Sequence, residues 1–552
     1  MAARLATLLV VGIVAVTLVA GLIVGAQRDD NSGPVDLIVH NAKVYAADDL
    51  GSVAEAVAIR GNKILKVGSE REIMRYRRPQ TSVIDAKGSA VLPGFDDAHI
   101  SMVSGGLAHE SVQLAGAETL EEIQQRIEDW TGLHDASWVI GYGWSYDAFP
   151  DLPTRAQLDA AVSDRPALLV SADGDAVWVN SKALAAAKIT KRTRTPDNGV
   201  IVRDRHGEPT GLLKGTAKAL VERIVPKPTR EERAKALQVA IREAQQRGIT
   251  SVQDFGATAG DLDLYDEARD AGTLSLRVYA AVPADDTETG DLDAIAKRYP
   301  DDPLLKTGLA SIALDGSVES QTAAMLSPYT PKGSSDGALT MGPEAFSRLV
   351  GDLDKRGWQV AVSAAGDRAV RLALDTFGAV AKSASRSKST RHRIEGVTMV
   401  DTEDVPRFGA LGVIASMQPL ATVADAWSRN VGPDREGLGW PMRSLSAAGA
   451  HLAFGSGWPV HALDPLAGIK AAATRPDIQA PEQLTLKSAI NGWTSGAAWA
   501  SFDAHRKGTI KPGMLADLVV LSTDIFAGRA KLESAEVVMT IFDGKIVYRR
   551  SS

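Results

Sequence analysis

Pro93-Gly94-Phe95-Asp96-Asp97-Ala98-His99-Ile100-Ser101 follows a short hydrophobic strand, Ala90-Val91-Leu92, and places two carboxylates and an imidazole just past a Pro-Gly turn. Residues of that chemistry beside a buried strand invite either a metal site or an acid–base pair. The chain on either side decides between them. Upstream, Asp36 to His40, Ala56 to Ile59, Lys63 to Val67 and Ser82 to Asp85 alternate in the strand manner and are separated by Gly, Asn and Asp turns. The same grammar returns at the far end, in Gly508 to Leu521 and Val537 to Tyr548, so the two chain ends read as halves of one β-sandwich.

Downstream, strand patterns alternate with helical ones. Gly248 to Asp254, Ser275 to Ala280, Gly308 to Leu314, Gln359 to Ser363, Val413 to Met417 and His451 to Ser456 are the strand runs, with helices such as Arg230 to Arg247 and Pro343 to Arg356 between some of them. That order predicts parallel strands covered by helices, and the number of units fits a (β/α)8 barrel. About 140 residues separate the first barrel strand from the second, which predicts an inserted subdomain over about 110–230.

At 552 residues the chain is long enough for two or three packed units. Its net charge of −7, with both signs mixed throughout, offers no basic face, and nucleic acid is set aside as a partner. There is no cysteine, which excludes disulfides, thiolate metal sites and a cysteine nucleophile. Leu5 to Gly25 carries no charge and is long enough to span a bilayer as a helix. Its length exceeds the usual apolar core of a secretory signal, which favours an uncleaved anchor. Arg4 before the run and Arg28-Asp29-Asp30 after it place the body on the extracytoplasmic side of a cell membrane. The predicted layout is therefore 1–26 anchor or signal, 27–34 linker, 35–92 and 506–552 the sandwich halves, and 93–505 the barrel with its insert.

Several further phrases carry a family resemblance: Pro153 to Asp159, Trp178 to Ser181, Gly207 to Gly211, Gly366 to Ala369, Arg391 to Glu395, Gly455 to Val460 and Lys511 to Asp517. With Pro93 to His99 they make the chain after the linker resemble the amidohydrolase superfamily, in the branch that includes N-substituted formamide deformylases. The resemblance implies a TIM barrel of α/β class, flanked by the β-sandwich, with a metal at the C-terminal strand ends. It also implies a ligand set of His-x-His, a carboxylated lysine, two more histidines and an aspartate. Carried over residue by residue, those positions hold His99, Ser101, Ser311, Ser363, Gly396 and Gly457. Only His99 is retained. Three polar family positions change too: Asp175 replaces the histidine of Asp-Gly-His, Gln321 an arginine before Thr-Ala-Ala, and Ala421 a histidine after Gln-Pro-x.

A hydroxyl is a poor zinc ligand and glycine offers none, so the inherited mechanism is expected to be absent, with no metal and no other cofactor. The expected function is that of a pseudoenzyme binding a small ligand or an envelope protein. The alternatives are a hydrolase of carbon–nitrogen bonds with atypical ligands or none, and a structural subunit of an envelope assembly. His99, Asp97, Asp175, Asp315, Gln321, Asp367 and Trp458 are the candidates for lining a pocket. Asp97, Asp254, Asp315, Asp367 and Glu395 could form a new acid–base pair, although carboxylates in such motifs also cap helices or pair with Arg368 or Arg393. His451, at the start of its strand, and His461, in the loop beyond, do not have the spacing of substitute ligands. Ser363 lacks the Gly-x-Ser-x-Gly frame of a nucleophile. Trp144, Trp178, Trp440 and Trp458 fit a pocket wall or plain packing equally well.

Overall fold

The computed structural model describes residues 34–48, 50–284, 289–330, 335–383, 391–421, 425–474 and 482–551. The expected membrane helix and most of its linker lie outside these residues. No helix among the described residues is long and apolar enough to cross a membrane.

Eight parallel strands form the central sheet in chain order. They are β1 (Phe95–Ile100), β2 (Ile249–Asp254), β3 (Arg277–Pro283), β4 (Leu305–Ala313), β5 (Gln359–Ser363), β6 (Arg393–Glu395), β7 (Ile414–Met417) and β8 (His451–Phe454). Strands buried on both faces need apolar or internally paired side chains, and most of these runs are rich in Val, Ile, Leu and Ala. The β1–β8 seam is closed by loop contacts: Gly457 N–H donates to the His99 carbonyl at 2.8 Å and Ser101 N–H to the Trp458 carbonyl at 2.9 Å.

The opening stretch holds a second strand just past its Pro-Gly turn. Ala90–Pro93 pairs with Lys43–Tyr45 and Leu518–Leu521 in a six-stranded sheet outside the barrel, whereas Phe95–Ile100 is itself the first barrel strand. Gly94, whose N–H donates to the Asp517 carbonyl at 2.8 Å, is where the chain crosses from one sheet to the other. That six-stranded sheet takes strands from both chain ends. A four-stranded sheet built around Leu37–His40 shares an apolar core with it, including Val39, Val57, Val91, Ile510, Leu518 and Ile541.

A third sheet, of six strands between Val112 and Gly215, is the insert, with its own core around Trp144, Phe149, Leu158 and Trp178. The chain returns to the barrel through helix α1 (Arg230–Gln246). Thr229 caps it, its hydroxyl accepting from Glu232 N–H at 3.2 Å while the Glu232 carboxylate accepts from Thr229 N–H at 2.7 Å. Ala236, Leu237, Ala240, Ile241 and Ala244 recur at helical spacing and are buried, which turns that face onto the barrel.

The barrel is fastened to the sandwich by a fork of charge-assisted hydrogen bonds. Arg277 on β3 donates from Nε to Asp517 Oδ2 at 2.6 Å and from Nη2 to Asp517 Oδ1 at 2.9 Å. Both residues are buried, and Asp543 Oδ1 accepts a further bond at 2.8 Å. Breaking such a pair from one side strands the remaining charge. Asp517→Ala is therefore expected to lower unfolding stability by about 3–5 kcal/mol, read from the denaturant midpoint.

Candidate functional site

The six positions that correspond to the family's ligands stand at the C-terminal ends of the barrel strands or in the loops beyond them. His99 ends β1, Ser101 follows it, Ser311 is near the end of β4, and Ser363 is the last residue of β5. Gly396 follows β6 and Gly457 lies beyond β8. The two glycines have φ of +65° and +70°, a left-handed backbone that costs an L side chain roughly 1–2 kcal/mol. A Cβ on Gly457 would also meet His461 Cδ2 at 3.1 Å and Gln418 Cγ at 3.3 Å.

His99 is held firmly. Its Nδ1 lies 2.8 Å from Glu395 Oε2 and its ring stacks on Phe255 at 4.2 Å between centres. A carboxylate on one ring nitrogen is how proteins orient a ligating imidazole, so this contact retains the form of a metal site's supporting shell. Glu395 also takes the Nε–H of Arg393, whose buried guanidinium bonds Gln253 Oε1, the Ala98 carbonyl at 2.9 Å and Ser416 Oγ at 3.0 Å. Burial pushes the Glu395 carboxyl up, but the Arg393 charge and the His99 contact outweigh it and hold the group below the usual range.

Above this floor is a cavity of about 200 Å³. The barrel contributes Ser363, Glu395 and Gly396, vacating space where larger family residues would stand. The insert supplies Trp144, Tyr146 and Asp173. Glu319 comes from the loop after β4, Gln418 follows β7, and Trp440 and His461 lie in the loops on either side of β8. Asp173 Oδ2 accepts from Ser317 Oγ and Ser320 Oγ, each at 2.5 Å, and Ser320 Oγ lies 2.9 Å from the Tyr146 hydroxyl. Burial, then the charge of Asp173, pushes the Glu319 carboxyl up to about 8.

Among the seven residues expected to line a pocket, Asp315 lines this cavity. Its oxygens accept from the N–H groups of Ala324, Ala365 and Gly366 at 2.9–3.0 Å, and burial nevertheless raises it to about 7. The other six are engaged outside the lining. His99 is tied to Glu395. Asp97 is buried at the seam, accepting from Ser456 N–H at 2.9 Å, and burial pushes it up to about 7. Asp175 bonds the Thr322 hydroxyl and sits 3.5 Å from Lys218. Gln321 donates to Asn430 Oδ1 at 2.7 Å. Asp367 caps its own helix, Asp367–Ser383, accepting from Arg368 N–H at 3.0 Å, and takes Leu326 N–H at 2.7 Å. Trp458 covers Gly105. Trp178 is core packing, whereas Trp144 and Trp440 reach the cavity. His461, set aside on spacing, lines it as well; Asp173 and Gln418 stand in the Asp-Gly-His and Gln-Pro-x phrases but were not singled out, and Glu319 and Tyr146 carried no sequence signal.

Residues 82–548 match the Amidohydrolase family, and the chain belongs to it. It is 32% identical to Protein LONG AFTER FAR-RED 3 of Arabidopsis thaliana over 93% of this chain and 91% of that one. To an N-substituted formamide deformylase of Arthrobacter pascens it is 28% identical, over 94% and 99%. The crystal structure of an uncharacterized metal-dependent hydrolase from Pyrococcus horikoshii shares the fold with a TM-score of 0.71 at 24% identity, covering 90% of this chain and 99% of that one.

The family's metal does not fit the residues present. Three of the six positions are serine, two are glycine, and His99 alone offers an imidazole. Among the described residues no three His, Asp or Glu side chains converge as a group that could hold a metal ion. One imidazole neither fixes a metal nor activates its water.

Asp254, at the end of β2, is buried and accepts from Tyr265 O–H at 2.7 Å and Gly256 N–H at 3.0 Å, and burial raises it to about 6. Below about pH 4 the group is neutral in both folded and unfolded chains. Between about pH 4 and pH 6 the unfolded chain ionises this group while burial keeps it protonated in the fold, so stability falls across that window and levels off above about 6. Asp254→Asn, neutral throughout, is expected to flatten that slope, whose size is about 3 kcal/mol, in denaturation curves taken from pH 4 to pH 7.

Proposed function

We propose that this chain is a non-hydrolytic member of its family, binding a small ligand in the barrel-mouth cavity while its N-terminal segment anchors it to a membrane. The observation that carries the reading is the state of the inherited site. Five of six ligand positions hold serine or glycine, two of them on left-handed backbone, yet a lined cavity persists directly beside them. Fold alone assigns no activity, and serine and glycine at the expected ligand positions do not supply the metal set that hydrolysis of a carbon–nitrogen bond by this family would need. The anchor is supported by the uncharged run Leu5 to Gly25, and it would put the cavity outside the cytoplasm.

The full chain in detergent, supplied with zinc, manganese or iron, is expected to hydrolyse N-substituted formamides no faster than buffer does. Metal-dependent turnover that disappears in His99→Ala would contradict the proposal. For the anchor, carbonate-washed membranes are expected to retain the chain in the pellet, and release into the supernatant would count against it.

A further inference from the structure

Among the described residues the barrel-mouth cavity is lined by acidic side chains and by no lysine or arginine. Two of its carboxylates are already compensated, Glu395 by Arg393 and Asp315 by three backbone N–H groups. The other two are Asp173 and Glu319. Asp173 is bonded by hydroxyls and by Asp175 N–H at 3.1 Å, and it makes no ion pair among the described residues. The Glu319 carboxylate makes neither an ion pair nor a side-chain hydrogen bond among them. Lys214 sits over the Tyr146 ring, 5.1 Å from its centre, and Lys218 pairs with Asp175; neither lines the cavity.

Around these carboxylates stand three aromatic walls, Trp144, Tyr146 and Trp440. Trp144 is held by its Nε1–H donating to the Leu169 carbonyl at 2.8 Å, and Trp440 packs against Trp427 at 5.1 Å between ring centres. Rings fixed in this way bind a cation through their faces without paying for ordering. A separate signal comes from Gln418, whose Nε2 is buried in the same lining with no hydrogen-bond acceptor among the described residues. An orphaned donor in a cavity is satisfied by an oxygen brought in with a ligand.

Resting on the reading of the mouth as a binding site, the geometry points to an organic ammonium as its ligand class: an amine with an aromatic or apolar body and a carbonyl or hydroxyl oxygen. The ammonium meets Glu319 and Asp173, the body lies among Trp144, Tyr146 and Trp440, and the oxygen accepts from Gln418. An anion is disfavoured by the acidic lining, and an arriving ammonium draws out the ionised form of Glu319, whereas a neutral amide leaves that carboxyl in the protonated form burial favours.

Isothermal titration of the full chain in detergent at about pH 6, where the α-amino group is protonated, tests this with phenylalaninamide as the cationic probe and N-acetylphenylalaninamide as its neutral counterpart. Phenylalaninamide is expected to bind about tenfold or more tightly than the neutral probe, and Glu319→Gln to weaken it by a similar factor. Equal binding of both probes, an unchanged affinity in Glu319→Gln, or no binding of either would overturn the inference. The two-probe comparison in the unaltered chain stands even if the variant does not fold. Equal binding would leave a binding cavity in place, whereas metal-dependent formamide turnover would remove the reading beneath it, so the two failures are distinguishable.

Discussion

The barrel depends on a positive charge sealed inside it. Arg393 is fully buried and ties four strands together at the floor of the mouth, through Glu395 beside it on β6, the Ala98 carbonyl on β1, Gln253 on β2 and Ser416 on β7. A guanidinium in that position is tolerable only if nearly every donor finds an acceptor, and the surrounding strands supply them. Glu395 then passes the arrangement on to His99, so the one retained imidazole is positioned by the framework of the barrel. His99 and its supporting carboxylate thus belong to the internal bonding of the fold.

Much of the architecture was legible because it depends on periodicity. The short runs of β2, β5, β7 and β8, with apolar residues such as Val, Ile, Leu and Ala within them, announce themselves as buried strands, and the repeated strand-turn grammar at both ends points to one sandwich. Boundaries were less legible: the run read as Ser275 to Ala280 is shifted in the fold to Arg277–Pro283. β6 was invisible as a strand because its residues are Arg393, Ile394 and Glu395, two charges that neutralise each other inside the barrel. β1 was hidden for a related reason, since Asp96, Asp97 and His99 look like a loop until their buried partners are known.

Flanking motifs point to the six expected ligand positions, but nothing in the sequence outlines the cavity. Its walls come from segments far apart in sequence, with Trp144, Tyr146 and Asp173 on the insert facing Glu319 and Trp440 on the barrel loops. Nothing local marks Glu319, whose character arises from burial beside Asp173. Residues that looked chemically promising in sequence, Asp97, Asp175 and Asp367, are instead engaged at the seam, with Lys218 and at a helix start. The insert and the barrel loops together enclose a space whose polarity is set by Asp173, Asp315, Glu319 and Glu395.

The central claim is that no metal centre operates at this mouth, and elemental analysis of the purified full chain tests it most directly. After growth with zinc, manganese and iron, the account predicts metal well below one equivalent and lost on dialysis. Near-stoichiometric metal that survives dialysis would contradict it, and would require ligands other than those at the inherited positions.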